Sequence, residues 1–206
     1  MYRLSIVFLS MLVLLPLFTA PAAAQTPGEI DTLQKAMRTA GETFRGLVQN
    51  LTDEQWNFLS SGSPHTIGHV AEHVALSEND LQRIVDRAIQ AGQVPDAAKS
   101  LQGKEDKIRD LMLSPDTAAE SYKPRNKLNT KAEALEYFNR AHNRALQGAS
   151  KTPDLDLYVF RHPHPDYSDL TALQWYYYIA YHNLRHCKQI EAIMADANFP
   201  GGPRKP

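Results

Sequence analysis

The sequence predicts an all-α protein, a four-helix bundle with a short extra helix in the connection between its second and third long helices. Three observations support this fold class. Apolar residues recur every three or four positions through four long segments, which is the spacing of helices that each bury one face. Helix-start signals and turn-forming Pro and Gly residues separate these segments. No run alternates between apolar and polar residues clearly enough to predict a strand.

The first helix is predicted over residues 30–51, and a capping box from Thr52 to Gln55 then begins a short helical turn. In a capping box, the side chains at the first and fourth positions accept hydrogen bonds from each other's backbone N–H groups. Ser63-Pro64 is predicted to begin the second long helix, because proline is favoured in the first turn of a helix. That helix is predicted to end at Ala91-Gly92.

Residues 93–129 are the least regular part of the chain, with one short helix predicted over residues 104–113. A second capping box, from Thr130 to Glu133, begins the third long helix. A long connection over residues 153–168 then leads into the fourth helix. Helix connections of this length are often functional, so the loop is predicted to pass over one end of the bundle near the site described next.

The fourth helix carries two histidines, His182 and His186, one turn apart on its apolar face. At about 100° of rotation per residue they fall in the same stripe as Trp175, Ile179 and Ile190, so both are predicted to be buried. A buried imidazole needs a partner for each ring nitrogen, and a divalent ion can bind several such rings at once. Core histidines that hydrogen-bond to carboxylates or carbonyl groups are the alternative.

A second set of histidines recurs at every fourth position of the second helix: His65, His69 and His73. Measured from the centre of that helix's apolar face, His73 is displaced by about 70°, His69 by about 110° and His65 by about 150°. His73 is therefore predicted to reach the core, His69 to border it and His65 to be exposed. His73 with His182 and His186 would make a three-histidine metal site with an open position, as in catalytic sites. His69 is a candidate fourth ligand.

Several other residues have a less specific interpretation. His162 and His164 are flanked by prolines and predicted to be extended, and either could contact a metal or a substrate. Cys187 turns away from the proposed ligands and is predicted to be a small packed residue. Glu72 and Glu78 are candidate bases, with Glu78 near the core face of the second helix and Glu72 away from it. No catalytic residue is assigned.

The first residues resemble a targeting signal. Arg3 is followed by an apolar run over residues 4–18 and by Ala22-Ala-Ala24, the features of a signal peptide with its cleavage site. We therefore predict a signal peptide over residues 1–24 and one exported domain, periplasmic or extracellular, over residues 25–206. A retained anchor is the alternative, although about 15 apolar residues are few for a spanning helix. No stable membrane span is predicted after cleavage.

Composition excludes some partners. The chain has 22 basic and 23 acidic residues and no dense basic stretch that would follow a phosphate backbone, so nucleic acid is not a predicted partner. The lone Cys187 excludes an intramolecular disulfide, so the core, with help from a metal, is predicted to stabilise the domain. The predicted partner is a small-molecule substrate, and a homodimer is left open.

The chain also resembles a known family. The resemblance rests on Trp56, on the Ile-Gly-His-Val-Ala-Glu-His stretch that ends at His73, and on the Leu-Thr-Ala-Leu-Gln-Trp stretch before His182 and His186. These motifs, in this order and spacing, are similar to those of the DinB-like (YfiT-like) metalloenzyme superfamily. The resemblance implies a four-helix bundle and a divalent ion bound by one histidine of the second helix and two of the fourth. The matching positions here are His73, His182 and His186.

Two differences from the family concern the second helix. The family often begins it with Trp-Ser-Ile, where this chain has His65-Thr66-Ile67, and often has a carboxylate or a small residue at the position of His69. Family members that act as thiol transferases use low-molecular-weight thiols. The expected function is an exported enzyme, a hydrolase or thiol S-transferase, whose divalent ion (zinc, nickel, iron or manganese) activates water or a thiol. The alternative is a non-catalytic metal- or ligand-binding bundle.

Overall fold

The structure, a computed structural model, describes residues 25–94, 105–114, 122–150, 155–165 and 168–203. These residues form six helices and one two-stranded sheet. In chain order the elements are α1 (Pro27–Val48), α2 (Asp53–Trp56), α3 (Ile67–Gln90), α4 (Glu105–Leu113), α5 (Lys131–Ser150), β1 (Arg161–His164), β2 (Ser168–Thr171) and α6 (Ala172–Met194). The signal peptide predicted over residues 1–24 lies outside the described residues.

Four long helices, α1, α3, α5 and α6, form the bundle. α1 and α3 each pack against both α5 and α6. The short α4 packs on α6 and belongs to the connection between α3 and α5, where the sequence predicts the extra helix. The all-α, four-helix prediction is therefore confirmed. Within the described ranges, no helix has both the length and the apolar character needed to cross a membrane.

The core consists of two apolar clusters with a polar layer between them. On α6, the buried residues of the first cluster end at Ala180 and those of the second begin at Cys187. On α1, the same change falls between Ala40 and Phe44. Five polar side chains, each at most 2% exposed, occupy the layer: Glu78, His142, His182, Asn183 and His186. The two histidines of α6 are therefore buried, as their position on its apolar face predicts.

α3 begins later than predicted. Its N-cap is Thr66 and its first residue is Ile67, so Ser63-Pro64 lies in the preceding turn. The Thr66 hydroxyl accepts a hydrogen bond from the His69 backbone N–H at 3.2 Å, and His69 Nδ1 accepts one from the Thr66 N–H at 3.4 Å. A histidine thus takes the part that Glu or Gln takes in an ordinary capping box. The prediction that Ser63-Pro64 begins the helix is wrong because this unusual box sets the helix start.

The two capping boxes predicted from the sequence, at Thr52 and Thr130, are both present. α1 starts earlier than its apolar stripe suggests, because a further capping box at Thr26 precedes Pro27. The helix therefore spans Pro27–Val48 rather than residues 30–51. Both partners of each box lie within three residues of one another, which is why such helix starts can be recognised in a sequence.

β1 and β2 form an antiparallel hairpin in the connection that precedes α6. The prediction that the chain has no strand is wrong here. Each strand is only four residues long and β1 contains Pro163, so neither shows a clear alternation of apolar and polar residues. Pairing with β2 holds His162 and His164 in an extended conformation, as predicted. The hairpin also contacts α3.

Candidate metal centre

Three histidines from two helices converge at the polar layer. His73 of α3 and His182 and His186 of α6 each offer a ring nitrogen, and these three atoms all lie within 4.8 Å of one another. The ring centroid of His186 lies 4.5 Å from that of His182 and 4.6 Å from that of His73. Among the described residues, the converging set contains three imidazoles and no carboxylate. The structure thus brings together the three histidines that the sequence selects as ligands.

The distances suit a metal ion. The Nε2 atoms of His73 and His182 are 3.3 Å apart. Two nitrogens on one tetrahedral zinc ion, each about 2.0–2.1 Å from it, would be about 3.3–3.4 Å apart. The His186 ring is oriented by Gln189, whose Oε1 accepts a hydrogen bond from Nδ1 at 3.0 Å. This contact leaves the solvent-shielded Nε2 atom of His186 as its ligand atom.

A pocket of about 340 Å³ adjoins the converging histidines. His73 and His182 line it directly. Four side chains supply its apolar wall: Leu76, Leu81, Ile84 and Tyr178. Lys123 and Arg125 also line the pocket, and Arg125 forms an ion pair with Asp80 at 2.8 Å. A pocket of this size, lined about equally by polar and apolar groups, suits a small molecule that has both polar and hydrocarbon parts.

Tyr122 covers one face of His73. Their rings are stacked, with centroids 3.9 Å apart and planes 12° apart. His65 stacks on Tyr122 at 4.2 Å and 16°. The prediction that His65 is exposed is therefore wrong: it is only 9% exposed. Burial, and to a lesser extent the nearby His69, lowers the pKa of His65.

A family comparison agrees with this arrangement. The profile of the DinB superfamily matches residues 36–190, which is more than half of the chain and includes all three converging histidines. This chain belongs to the DinB superfamily. The family expected from the sequence motifs is thereby confirmed, and the DinB assignment and the three histidines together fit a metal-binding helical protein. No curated protein and no solved structure matches the chain.

The other candidate histidines of this DinB protein do not join the converging set. His69 caps α3 and is not among the three residues whose ligand atoms meet. His164 is buried against Trp175 and Tyr178, with ring centroids 5.1 Å and 4.8 Å away. His162 lies half-buried in β1, with Nδ1 3.0 Å from the carbonyl oxygen of Pro163. Their positions fit roles in helix capping and packing.

The two candidate bases are occupied by other contacts. Glu72 is 3% exposed rather than turned to solvent, because its carboxylate accepts hydrogen bonds from the four backbone N–H groups of residues 125–128. Glu78 is fully buried, pairs with His142 Nδ1 at 2.9 Å and accepts a hydrogen bond from Asn183 Nδ2. Neither carboxylate is therefore assigned as a base.

Cys187 packs in the second apolar cluster and is not one of the converging ligands. It is 2% exposed, and burial raises the pKa of its thiol to about 12. Because the thiolate is the nucleophile and the metal ligand, a packed thiol that stays protonated is poorly suited to either role. The prediction of a small packed residue is confirmed.

Sequence reasoning missed two residues of this region. Tyr122 lies in the irregular stretch over residues 93–129, where no periodic pattern distinguishes it from its neighbours. His142 was detectable: it follows Phe138 by four residues and precedes Ala145 by three, so it shares their buried face of α5. A histidine at such a position calls for a buried partner, and Glu78 provides it.

Proposed function

We propose that this DinB protein is an exported metal-dependent enzyme in which His73, His182 and His186 bind one divalent ion and a fourth position stays open for water or a thiol. The observation that carries the proposal is the convergence of three imidazoles, drawn from two helices, beside a pocket that two of them line. Three protein ligands and an adjoining pocket are the features of a catalytic site rather than of a closed structural one.

The donor set narrows the identity of the ion. Imidazole nitrogens suit zinc, nickel and iron, whereas manganese and magnesium prefer carboxylate and other oxygen ligands. All three converging donors are imidazoles, so zinc, nickel or iron is favoured over manganese. Neutral ligands also leave the charge of the ion uncompensated, which favours a substrate with an anionic or strongly polarised group at the reacting end.

The chain's own residues prepare the site in two ways. Gln189 holds the His186 ring so that Nε2 is the atom left for binding. The apolar wall that includes Leu76 and Ile84 would bind a hydrocarbon portion of the substrate and displace water from it. When bound, the ion would lower the pKa of a coordinated water to near 7, or hold a thiol in its ionised form, and so supply a nucleophile at neutral pH.

Metal analysis of untagged protein tests the ligand assignment. We expect about one divalent ion per chain, as for other single three-histidine sites. Alanine substitution of His73, His182 or His186 should remove it, whereas His162→Ala should retain it because His162 lies in the hairpin outside the converging set. If His73→Ala keeps its full metal content, the assignment is wrong. If the wild-type protein binds no ion, the 3.3 Å contact between His73 and His182 is a hydrogen bond and the site is structural.

Activity assays on the metal-loaded protein then separate the reaction types. Hydrolysis of ester or amide substrates would indicate activated water, and transfer of a low-molecular-weight thiol to an electrophile would indicate activated thiol. His182→Ala should abolish either activity. A protein that holds its ion with full occupancy but catalyses neither reaction would instead support a non-catalytic metal- or ligand-binding bundle. Detection of the mature chain, beginning near Gln25, outside the cytoplasm would support the export part of the proposal.

A further inference from the structure

We propose that Glu72 is a positioning residue: acting through the backbone of residues 125–128, it holds Tyr122 against His73. The Tyr122 ring in turn fixes the orientation of the His73 imidazole and closes one face of the metal centre. This inference rests on the proposed metal-binding role of His73, although the packing that it describes exists without a bound ion. It assigns to a carboxylate of the second helix a function other than that of a base or a ligand.

The first step is the contact between Glu72 and the loop. Its Oε2 atom accepts hydrogen bonds from the N–H groups of Arg125 and Asn126, and its Oε1 atom accepts from those of Lys127 and Leu128, at 2.5–3.2 Å. Hydrogen bonds to a carboxylate are about twice as strong as those between neutral groups. Four of them on one side chain that is 3% exposed make this the main attachment of the loop to α3.

The loop conformation is matched to the carboxylate. Asn126 has a φ of 52°, in the left-handed region that Asn adopts more readily than most residues. Where a residue in the left-handed conformation adjoins residues with negative φ, successive backbone N–H groups turn towards the same side. Together these N–H groups form a concave site for an anion. The four N–H groups occupy the acceptor sites that a carboxylate offers. Glu72 is therefore committed to the loop, which excludes it as a base for a substrate in the adjoining pocket.

The second step is the contact between the loop and the metal centre. Tyr122 comes three residues before the attached segment and lies between His65 and His73, nearly parallel to both rings. Rotation of the His73 ring about its bond to the β carbon would drive the ring edge into Tyr122. A ligand approaching that face of His73 would meet the same obstruction. The remaining approach is from the pocket that His73 and His182 line.

Three substitutions test this arrangement in the zinc-loaded protein. Glu72→Gln removes one of the two carboxylate oxygens, and Tyr122→Ala removes the covering ring. Each should increase the rate at which the chelator 4-(2-pyridylazo)resorcinol extracts zinc by about tenfold or more, in line with the effect of residues that support metal ligands. Tyr122→Phe keeps the ring and should keep the wild-type rate. The matched control is Glu133→Gln, which alters a carboxylate bound to the N–H groups of Asn129 and Thr130 at the far end of the same loop.

A double substitution shows whether Glu72 acts through Tyr122. If it does, Glu72→Gln should add little to the extraction rate once Tyr122 is alanine. Visible absorption of the cobalt-substituted protein gives a second measurement, because the cobalt bands respond to ligand geometry and not to global stability. Equal effects of Glu72→Gln on extraction in the wild-type and Tyr122→Ala backgrounds would overturn the proposal. Cobalt bands that match the wild type in both Glu72→Gln and Tyr122→Ala would also overturn it.

A measurement without metal keeps this inference separate from the metal proposal. In the metal-free protein, the ring current of Tyr122 should shift the carbon-bound ring protons of His73 upfield in the NMR spectrum, because the two rings are stacked. Glu72→Gln should remove most of that shift, whereas Glu133→Gln should preserve it. If the shift is present and lost in this way but no metal binds, only the metal proposal fails. If Glu72→Gln leaves the shift intact, the positioning role is wrong even when the metal site is real.

Discussion

The polar layer of the bundle holds two groups of histidines whose surroundings differ. His142 belongs to a closed cluster: its Nδ1 atom lies 2.9 Å from Glu78 Oε1, and these two side chains are 1% and 0% exposed. Asn183 donates to the other oxygen of the same carboxylate. The second group, His73, His182 and His186, has no carboxylate in its converging set, and two of its members line a pocket.

Buried histidines can be distinguished by the chemistry of the groups around them. In the closed cluster, the Glu78 carboxylate accepts from both the imidazole and the amide, so this buried charge has its partners within the protein, although His142 Nε2 and Asn183 Oδ1 have none among the described residues. Three imidazoles that direct nitrogens at one point cannot satisfy one another fully, because each neutral ring has only one N–H to donate. A divalent cation can bind all three rings at once. Burial alone therefore does not identify a metal site, whereas the composition of the surrounding group does.

The largest expected effect separates the two groups by stability. Glu78→Ala should lower the free energy of unfolding by about 3–5 kcal/mol, because it leaves buried polar partners without their acceptor. Urea unfolding measures the loss, and the folded variant should still bind its metal. Glu136→Ala is the control. This carboxylate pairs with Arg140 on the surface of α5, so its loss should lower the free energy of unfolding by only about 0.3–0.5 kcal/mol. A stable Glu78→Ala protein that cannot bind metal would show that the two groups form a single centre.

Metal removal should have the next largest effect, and it acts only on the converging group. A ligand that binds the folded state at about 100 times its dissociation constant stabilises that state by about 2.7 kcal/mol. Urea unfolding with and without excess zinc should show a shift of this order for the wild type and for Glu78→Gln. His182→Ala should show almost none. Persistence of the full shift in His182→Ala would place the ion elsewhere.

A pair of glycines on α1 tests how tightly the closed cluster is packed. An alanine β carbon at Gly41 would overlap the His142 ring at Nε2. Gly41→Ala should therefore lower the free energy of unfolding by about 1–3 kcal/mol through overpacking. At the exposed Gly46 nothing lies within 4 Å of an added β carbon, and Gly46→Ala should instead stabilise by up to about 1 kcal/mol through helix propensity. Thermal unfolding of both variants measures this contrast in sign. A neutral Gly41→Ala substitution would show that the His142 ring can move.

The smallest expected effect concerns His69, which precedes the ligand His73 by one turn. Because His69 completes the capping box with Thr66, His69→Ala should lower the free energy of unfolding by about 0.5–1 kcal/mol, at the low end of capping effects. Its metal content should match the wild type. His69→Gln, which can accept the same hydrogen bond, should recover the lost stability. Loss of metal from His69→Ala would make His69 a ligand and enlarge the converging group.

The sequence determined the features that depend on near neighbours. The four long helices follow from apolar spacing, and the capping boxes at Thr52 and Thr130 were recognisable because both partners lie within one turn. The same periodicity put His182 and His186 on a buried face and turned His73, rather than His69, towards them. These inferences succeed because a regular helix converts sequence position directly into direction.

Errors arose where the helix geometry did not apply. His65 was predicted to be exposed by extending the rotation of α3 back to it, but the helix begins at Ile67 and His65 precedes it. The hairpin escaped prediction because its short strands are stabilised by pairing with each other rather than by an apolar pattern of their own. In both cases the residues lie outside the long helices, where spacing in the sequence does not predict the direction of a side chain.

The partner that each polar side chain meets could not be predicted from the sequence, because it lies on a distant segment of the chain. Glu72 was predicted to point away from the core, but it is buried, because the backbone N–H groups of residues 125–128 bind its carboxylate. Tyr122 reaches His73 from 49 residues along the chain. His142 and Glu78, on different helices, pair with each other in the core. Such contacts depend on how distant segments pack together, and the relative placement of those segments is set by burial of the whole core rather than by the residues beside each partner.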